Sequence, residues 1–302
     1  MKKVKIKQVD AFTEIPFSGN PAGVVTAASG LTVKQMRMIA REMNLSETAF
    51  IIPPKTTSAH MEIRWFTPTA EVDLCGHATI AAFYALAEEQ KYGMNRPGKY
   101  SFNVVTRSGI LPVTVDIKKN RPVTVSFGLP VPEFENFLYD EKILAEALGT
   151  SHGNFNFDYP LAKDRFQIIV PIKKRKHLFD LRPNYPLIED ISRETNTAAV
   201  TVFTTDTVDK NSTVHTRCFV PLFGVNEDPV TGSSLGPLGV YLADNGIVKS
   251  SGGRISYVAE QGDCLDKAGR VNVDLRKGRE GYHSLTISGN AVTVLEGEIR
   301  LV

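Results

Sequence analysis

The sequence predicts an α+β fold of two pseudo-symmetric domains, each a curved, mostly antiparallel β-sheet or barrel wrapped around a central apolar helix. One observation is a repeated motif, Arg-x-Phe-x-Pro, which begins at Arg64 and again at Arg217. A second is that an acidic segment, a glycine and a nearly uncharged run of helical length follow each copy. A third is that the other segments are short and separated by glycines, as strands are, without regular strand–helix alternation.

The repeated segment predicts a strand that ends at a proline and is followed by a buried helix. Pro68 and Pro221 end the strands, because proline donates no hydrogen bond to a ladder. The runs over 77–87 and 233–243 contain no Asp, Glu, Lys or Arg. A helix that is apolar on every side is expected to be buried, and helices of about a dozen residues are too short to cross a membrane.

Periodicity and turn signals predict the other elements of the first half. A helix over 31–43 has Thr32 as its N-cap and apolar residues at helical spacing. Residues 18–21, Ser-Gly-Asn-Pro, predict a turn, since glycine and asparagine tolerate a positive φ. The predicted strands of the first half cover 4–12, 22–27, 50–52, 61–66, 100–106, 110–117 and 121–128.

The second half is predicted to begin at Leu-Pro-Val-Pro, residues 129–132, where two prolines interrupt the series of predicted strands. A helix over 141–148 is closed by Gly149. The predicted strands of the second half cover 165–170, 198–204, 213–219, 255–259, 270–275, 284–288 and 291–302.

Composition and charge exclude several function classes. The 302 residues carry 35 basic and 33 acidic side chains, a net charge of +2, so we expect neither nucleic acid nor a membrane as a partner. No glycine-rich nucleotide-binding motif follows a strand, and the six histidines show no metal-ligand spacing, so no metal is predicted. Three cysteines without a CxxC pair, and an N-terminus without an apolar signal core, predict a cytoplasmic protein.

Glu47 is the strongest candidate for proton transfer. It is the one charged residue in the run 44–52, which enters a predicted core strand. Partial desolvation raises the pKa of a carboxyl toward the range useful in general acid–base catalysis. The alternative is an acid that caps a helix. The similar strand of the second half, 197–203, has no acid at the matching place, which predicts a site with one base rather than two.

Further candidates lie at the starts of the two apolar helices. His77 follows Gly76, and its ring is either presented to the space between the domains or held as a structural histidine. Asp228 is either an acid at a helix start or a charge partner for the substrate and His77. Gly232 and Ser233 are the counterparts of Gly76 and His77. Two helix N-termini that face one cleft would suit a carboxylate ligand.

Five segments together resemble the phenazine-biosynthesis PhzF-like family, in the diaminopimelate epimerase-like superfamily. They are 18–21 (Ser-Gly-Asn-Pro), 45–49 (Leu-Ser-Glu-Thr-Ala), 66–68 (Phe-Thr-Pro), 75–79 (Cys-Gly-His-Ala-Thr) and 228–233 (Asp-Pro-Val-Thr-Gly-Ser). The resemblance implies two similar domains with the active site between them, and a last strand that returns to the first domain. The predicted domains are therefore 1–128 with 292–302, and 129–291.

The resemblance also implies a chemistry, which is cofactor-free relocation of a proton on a small carboxylate, such as a cyclic dihydro-hydroxyanthranilate. On the matching positions, Glu47 would be the general acid–base, and His77 and Asp228 would line the site and hold or protonate the substrate. The residues that would bind the polar groups of the substrate are Asn20, Ser46, Gly76, Gly232 and Ser233. The resemblance is also consistent with a homodimer.

The leading hypothesis is a cofactor-independent isomerase with Glu47 as its single base, and two alternatives stay open. One is an amino-acid epimerase or racemase that uses Cys75, since helix N-termini lower the pKa of a thiol. Cys75 with Gly76 resembles one half of the two-thiol site of diaminopimelate epimerases, but 229–232, Pro-Val-Thr-Gly, supplies no second thiol. The other is a non-catalytic scaffold that binds a metabolite or a protein partner.

Overall fold

The computed structural model describes residues 2–301, which form two compact units. Unit 1 comprises residues 2–128 and 287–301, and unit 2 comprises residues 129–286. Each unit combines β-strands with a buried apolar helix, so the predicted α+β class is confirmed. The domain bounds inferred from the sequence stay a prediction.

Unit 1 is built on a mixed, mostly antiparallel sheet. The strands are β1 (Lys2–Ala11), β2 (Asn20–Val25), β3 (Thr48–Ile52), β4 (Met61–Phe66), β5 (Glu71–Val72), β6 (Gly98–Thr106), β7 (Gly109–Ile117) and β8 (Thr124–Leu129), and the helices are α1 (Val33–Met43) and α2 (Gly76–Glu88). The pairs β2–β3 and β4–β6 are parallel, and the pairs β1–β2, β3–β4, β4–β5, β6–β7 and β7–β8 are antiparallel. A parallel pair needs a crossover connection, which α1 and α2 supply.

Unit 2 repeats this order of pairing. Its strands are β9 (Glu135–Asn136), β10 (Ala162–Lys163), β11 (Gln167–Pro171), β12 (Ala199–Thr204), β13 (Val214–Val220), β14 (Val225–Asp228), β15 (Arg254–Gln261), β16 (Gly269–Gly278) and β17 (Gly281–Gly289), and its helices are α3 (Glu141–Ala147), α4 (Arg175–Phe179), α5 (Tyr185–Thr195) and α6 (Gly232–Asp244). The parallel pairs are β11–β12 and β13–β15, and β12–β13 and β15–β16 are antiparallel. Because the sequence of parallel and antiparallel pairs is the same in both units, the internal duplication extends beyond the repeated motif.

The last strand, β18 (Ala291–Leu301), pairs antiparallel with β1. The register runs from Lys2 opposite Leu301 to Ala11 opposite Ala291, with one bulge on the way. The two ends of the described chain therefore belong to one ladder in unit 1.

Both apolar helices are buried, as their uncharged sequences predict. Ten of the 13 residues of α2 and ten of the 13 of α6 are buried. Helix α2 packs against β1, β2, β3, β7 and β18, and α6 packs against β15 and β16. Among the described residues, no helix is both long enough and apolar enough to cross a membrane.

Several local features differ from the sequence-based prediction, among them helix α4 and the short strands β5, β9, β10 and β14, which are not predicted. Helix α5, which has Asn184 as its N-cap, is not predicted from the sequence, although the parallel pair β11–β12 requires a crossover there. The predicted turn over 18–21 is wrong in its second half, because Asn20 and Pro21 already belong to β2. Gly19 does have a positive φ of 63°, and a Cβ at Gly19 would lie 2.2 Å from the carbonyl oxygen of Ala11.

Candidate active site

Four side chains lie together at the start of α2 in unit 1, and we call them the α2 cluster: Ser46, Glu47, Cys75 and His77. Glu47 Oε2 lies 3.3 Å from Nε2 of His77. Ser46 Oγ also lies 3.3 Å from this nitrogen. Cys75 Sγ lies 3.6 Å from Nδ1 and 3.9 Å from Nε2 of the same ring. The imidazole of His77 thus contacts a carboxylate, a hydroxyl and a thiol.

The backbone on both sides of the α2 cluster is fixed by secondary structure. Helix α1 ends at Met43, its C-cap Asn44 adopts the left-handed conformation, and the chain then turns into β3. The carbonyl oxygen of Glu47 accepts a hydrogen bond from the N–H of Gly23 in β2 at 3.1 Å. On the other side Cys75 is the N-cap of α2, and its carbonyl oxygen accepts from the N–H and the hydroxyl of Thr79.

Burial dominates the electrostatics of the α2 cluster. The side chain of His77 is 8% exposed and that of Glu47 is 20% exposed. Burial raises the pKa of the Glu47 carboxyl above its ordinary value, and the hydrogen bonds from Ser46 and Cys75 partly oppose this increase. Glu47 therefore combines a raised proton affinity with partial access to solvent, the combination that a general acid–base needs.

A second polar cluster lies at the start of α6 in unit 2, and we call it the α6 cluster: Asp228, Thr231 and Gln261. Thr231 is the N-cap of α6, and its hydroxyl donates to Oδ2 of Asp228 at 2.6 Å. The buried amide of Gln261 donates to the carbonyl oxygen of Asp228 at 2.7 Å and accepts from the N–H of Thr231 at 3.2 Å. Gln261 thus ties the end of β14 to the first turn of α6.

The repeated motif forms the same ion pair in both units. Arg64 donates two hydrogen bonds of 2.6 Å to Glu71, and Arg217 donates two of 2.8 and 2.7 Å to Glu227. Each guanidinium also lies over the phenylalanine ring of its own motif, 5.3 Å and 5.1 Å from the ring centroid. These pairs join β4 to β5 and β13 to β14, and so position the segments that lead into α2 and α6.

The other predicted site residues lie on the same elements. Asn20 is the first residue of β2 and is 1% exposed. Gly76 is the first residue of α2, and Gly232 and Ser233 are the first two residues of α6. Within unit 1 the structure groups Ser46 and Glu47 with His77.

Three contacts of these clusters are not predicted from the sequence. Cys75 lies within reach of both Glu47 and His77, whereas the sequence shows only that it precedes a helix. Thr231 appears in the sequence only as the counterpart of Cys75, and its bond to Asp228 depends on the turn between them. Gln261 comes from β15, and only the parallel pairing of β13 with β15 brings that strand beside the start of α6.

Solved structures with the same fold indicate the class of protein. The structure is similar to a hydroxyproline epimerase from Agrobacterium vitis, with a TM-score of 0.61 at 13% identity over 98% of this chain and 92% of that one. It is more similar to a PhzF-family phenazine biosynthesis protein from Bacillus anthracis, with a TM-score of 0.91 at 32% identity over the whole of both chains. The fold is thus the one shared by PhzF-type proteins and epimerases of this kind, as the sequence predicts.

The family follows from the sequence comparison. The model of the phenazine biosynthesis-like PhzC–PhzF family matches residues 9–297. An uncharacterized isomerase of Clostridium acetobutylicum is 37% identical over 306 residues, which cover 100% of this chain and 99% of that protein. The chain therefore belongs to the PhzC–PhzF family, and it is an isomerase.

Proposed function

We propose that the protein is a cofactor-independent isomerase that relocates a proton on a small cyclic or amino carboxylate, with Glu47 as its only acid–base group. Glu47 takes a proton from carbon on one face of the substrate and returns it elsewhere on that face. His77 and Ser46 orient the carboxylate of Glu47 and hold the polar groups of the substrate. Asp228, Gly232 and Ser233 also hold the substrate, a role supported by the family motif that they match.

One observation carries this proposal, which is the environment of Glu47. Its carboxyl is mostly buried, its pKa is raised, and its partners within 3.5 Å include the imidazole of His77. A carboxyl in this state accepts a proton from a carbon acid more readily than a fully exposed one, because burial favours its protonated form. Anionic substrate groups are favoured near helix starts such as those of α2 and α6.

The test is turnover in D₂O with a panel of small cyclic and amino carboxylates that includes the dihydro-hydroxyanthranilate. Mass spectrometry and NMR follow both deuterium uptake and new isomers, since an internal transfer can move hydrogen with little exchange. Glu47→Gln is expected to lower the turnover by about 10²–10⁴-fold or more, because general acid–base catalysis contributes that much. Glu42→Gln, which changes an exposed glutamate of α1, is expected to leave turnover unchanged. Full activity in Glu47→Gln would contradict the proposal.

A second candidate function is epimerisation with Cys75 as a base, and the contact of Cys75 Sγ with His77 favours it. The two mechanisms make opposite predictions for Cys75→Ala. With Glu47 as the only base, this variant retains most of its turnover, whereas a thiol base requires that the turnover be lost. The non-catalytic scaffold is not favoured, because three relatives that are 33–37% identical over nearly the whole chain are named isomerases.

We further propose that the protein is a cytoplasmic homodimer. The three cysteines form no disulfide with one another, which fits a reducing compartment, and the dimer rests on the family resemblance alone. Light scattering after gel filtration tests the dimer, and a mass near 33.2 kDa would exclude it. Cell fractionation with an antibody tests the localisation.

A further inference from the structure

Three metal-binding atoms converge in the α2 cluster. The Oε atom of Glu47, Sγ of Cys75 and a ring nitrogen of His77 lie within 4.8 Å of one another. Nε2 of His77 is 3.3 Å from Oε2 of Glu47 and 3.9 Å from Sγ of Cys75. A tetrahedral ion with bonds of about 2.0–2.3 Å separates neighbouring donor atoms by about 3.3–3.8 Å. Two of the three separations lie within or next to this range, and the third is at most 4.8 Å. Side-chain shifts of up to about one ångström would therefore place all three atoms around one ion.

The backbone fixes the positions of Glu47, Cys75 and His77 independently of any bound ion. Cys75 is the N-cap of α2, His77 lies in its first turn, and both residues are buried. The main chain of Glu47 is fixed on β2, and its side chain, at 20% exposed, borders solvent. Two donors at the start of α2 and a third directly before β3, which borders solvent, match the arrangement of zinc sites that keep a water molecule as the fourth ligand.

The donor set selects the type of metal. Thiolate and imidazole are ligands of Zn²⁺ and of similar borderline or soft ions, whereas Mg²⁺ and Ca²⁺ prefer sites made of oxygen atoms. We propose that Glu47, Cys75 and His77 form a binding site for Zn²⁺, and that an ion bound there blocks the acid–base function of Glu47. The thiol of Cys75 releases its proton to solvent as the metal–sulfur bond forms. Binding is independent of the proposed function, whereas the inhibition rests on it.

The test uses Co²⁺ as a visible substitute for Zn²⁺. Wild-type protein freed of metal by a chelator is titrated with Co²⁺, and a thiolate-to-cobalt charge-transfer band with intense d–d bands is expected. Because the chain has three cysteines, two reciprocal variants locate the sulfur. The double variant Cys218→Ala/Cys264→Ala retains only Cys75 and should keep the band, whereas Cys75→Ala should lose it. Zn²⁺ should displace the cobalt.

The other two ligands are tested by affinity. Glu47→Gln and His77→Ala are each expected to weaken cobalt binding by at least about tenfold, since loss of even an outer partner has an effect of this size. Ser46→Ala should change the affinity less, because Ser46 contributes no ligand. Circular dichroism confirms that each variant is folded.

Specific outcomes would overturn the site. They are the absence of a charge-transfer band at millimolar Co²⁺, or a band that persists in Cys75→Ala. The inhibition is tested separately, as loss of turnover by Zn²⁺ with the affinity seen in the cobalt competition. Turnover that persists at saturating Zn²⁺ would overturn the inhibition alone. A protein inactive on every substrate tested, with an intact Cys75-dependent band, would count against the proposed function and not against the site.

Discussion

At the scale of single residues, the two carboxylates proposed to contact the substrate, Glu47 and Asp228, have different kinds of neighbour. Glu47 contacts side chains that can themselves exchange a proton or bind a metal, namely Cys75 and His77. Asp228 accepts from Thr231, whose backbone is in turn held by the amide of Gln261. The geometry of Asp228 therefore depends on a residue of a different strand, which makes Gln261 a positioning residue.

Gln261→Leu is expected to destabilise the fold by about 1–3 kcal/mol, because it leaves the carbonyl oxygen of Asp228 and the N–H of Thr231 buried without this partner. Turnover should fall as well, since the carboxylate of Asp228 loses its fixed orientation. Urea unfolding and the KM and kcat of the isomerisation measure the two effects.

Gln167→Leu is the matched control. Gln167 is also fully buried, and its amide donates to the carbonyl oxygen of Ser234 in α6 without touching Asp228. Gln167→Leu should lower the free energy of unfolding by a similar amount and should lower turnover less than Gln261→Leu does. Equal effects of the two variants on turnover would show that Gln261 has only a structural role.

A buried carboxylate in unit 2 predicts how stability depends on pH. Burial alone would raise the pKa of Glu260, but hydrogen bonds from His215 and from the N–H groups of Val208 and Asp209 outweigh it and lower the pKa from 4.5 to about 2. Because the folded pKa is below the unfolded one, the stabilisation is fully present above pH 4.5 and is lost as the pH falls toward 2. It amounts to on the order of 3 kcal/mol.

Urea unfolding of wild type and Glu260→Gln between pH 7 and pH 2.5 measures this effect. The difference in the free energy of unfolding should be largest near neutral pH and should decrease below about pH 4.5. Glu298→Gln, a change in an exposed ion pair, should show little difference at any pH. A difference for Glu260→Gln that stays constant down to pH 3 would exclude the linkage.

At the scale of elements, the arginine of each repeated motif pairs with a glutamate and so joins a long strand to the short strand before each apolar helix. The two copies differ in burial, since the side chains of Arg217 and Glu227 are each 8% exposed, whereas those of Arg64 and Glu71 are 21% and 11% exposed. Arg217 also donates to the carbonyl oxygen of Leu178 at 3.1 Å. The pair in unit 2 is therefore more deeply enclosed by its surroundings.

Removing the glutamate should lower the free energy of unfolding more in unit 2 than in unit 1. Glu227→Gln leaves a guanidinium buried without its counter-ion and is expected to cost about 3–5 kcal/mol. Glu71→Gln should cost less, because water can reach Arg64 and solvate it. Chemical unfolding of both variants checks the order. Equal costs would mean that burial does not determine the contribution of the motif.

At the scale of the whole molecule, the last strand of the chain completes the sheet that the first strand begins. β18 pairs with β1 along its length, and Leu301 joins a core cluster with Val4, Ile6 and residues of α1. Unit 1 thus contains segments from both ends of the chain. Its sheet is complete only after nearly all of the sequence is present.

Deletion of residues 291–302 should therefore prevent unit 1 from folding, because β1 would keep only its short ladder with β2 and expose apolar side chains. Expression, solubility and near-ultraviolet circular dichroism measure the outcome. Lys3→Ala is the control, since it removes an exposed ion pair with Glu298 from the same ladder and should cost at most about 1 kcal/mol. A soluble truncated protein with native tertiary signals would contradict this prediction.

Local pattern was enough to predict much of this protein. The duplicated motif, the two buried helices and most strands follow from proline, glycine and hydrophobic periodicity, which act within a few residues. Glu47 and His77 could be singled out because a carboxylate in an uncharged run and a histidine at a helix start are unusual locally. Helix α5 is not predicted, because its apolar residues are few, although Asn184 and Pro186 mark its start.

The tertiary structure alone decided which distant side chains meet. The contact of Glu47 with Cys75 and His77 requires β3 and the start of α2 to lie side by side, and that of Gln261 with Thr231 requires the parallel pairing of β13 with β15. Such contacts depend on the order in which strands distant in the sequence pair, and local pattern leaves several such orders open. The sequence by itself thus determined the elements and the type of chemistry, while the partners of each proposed acid depended on how the sheets assemble.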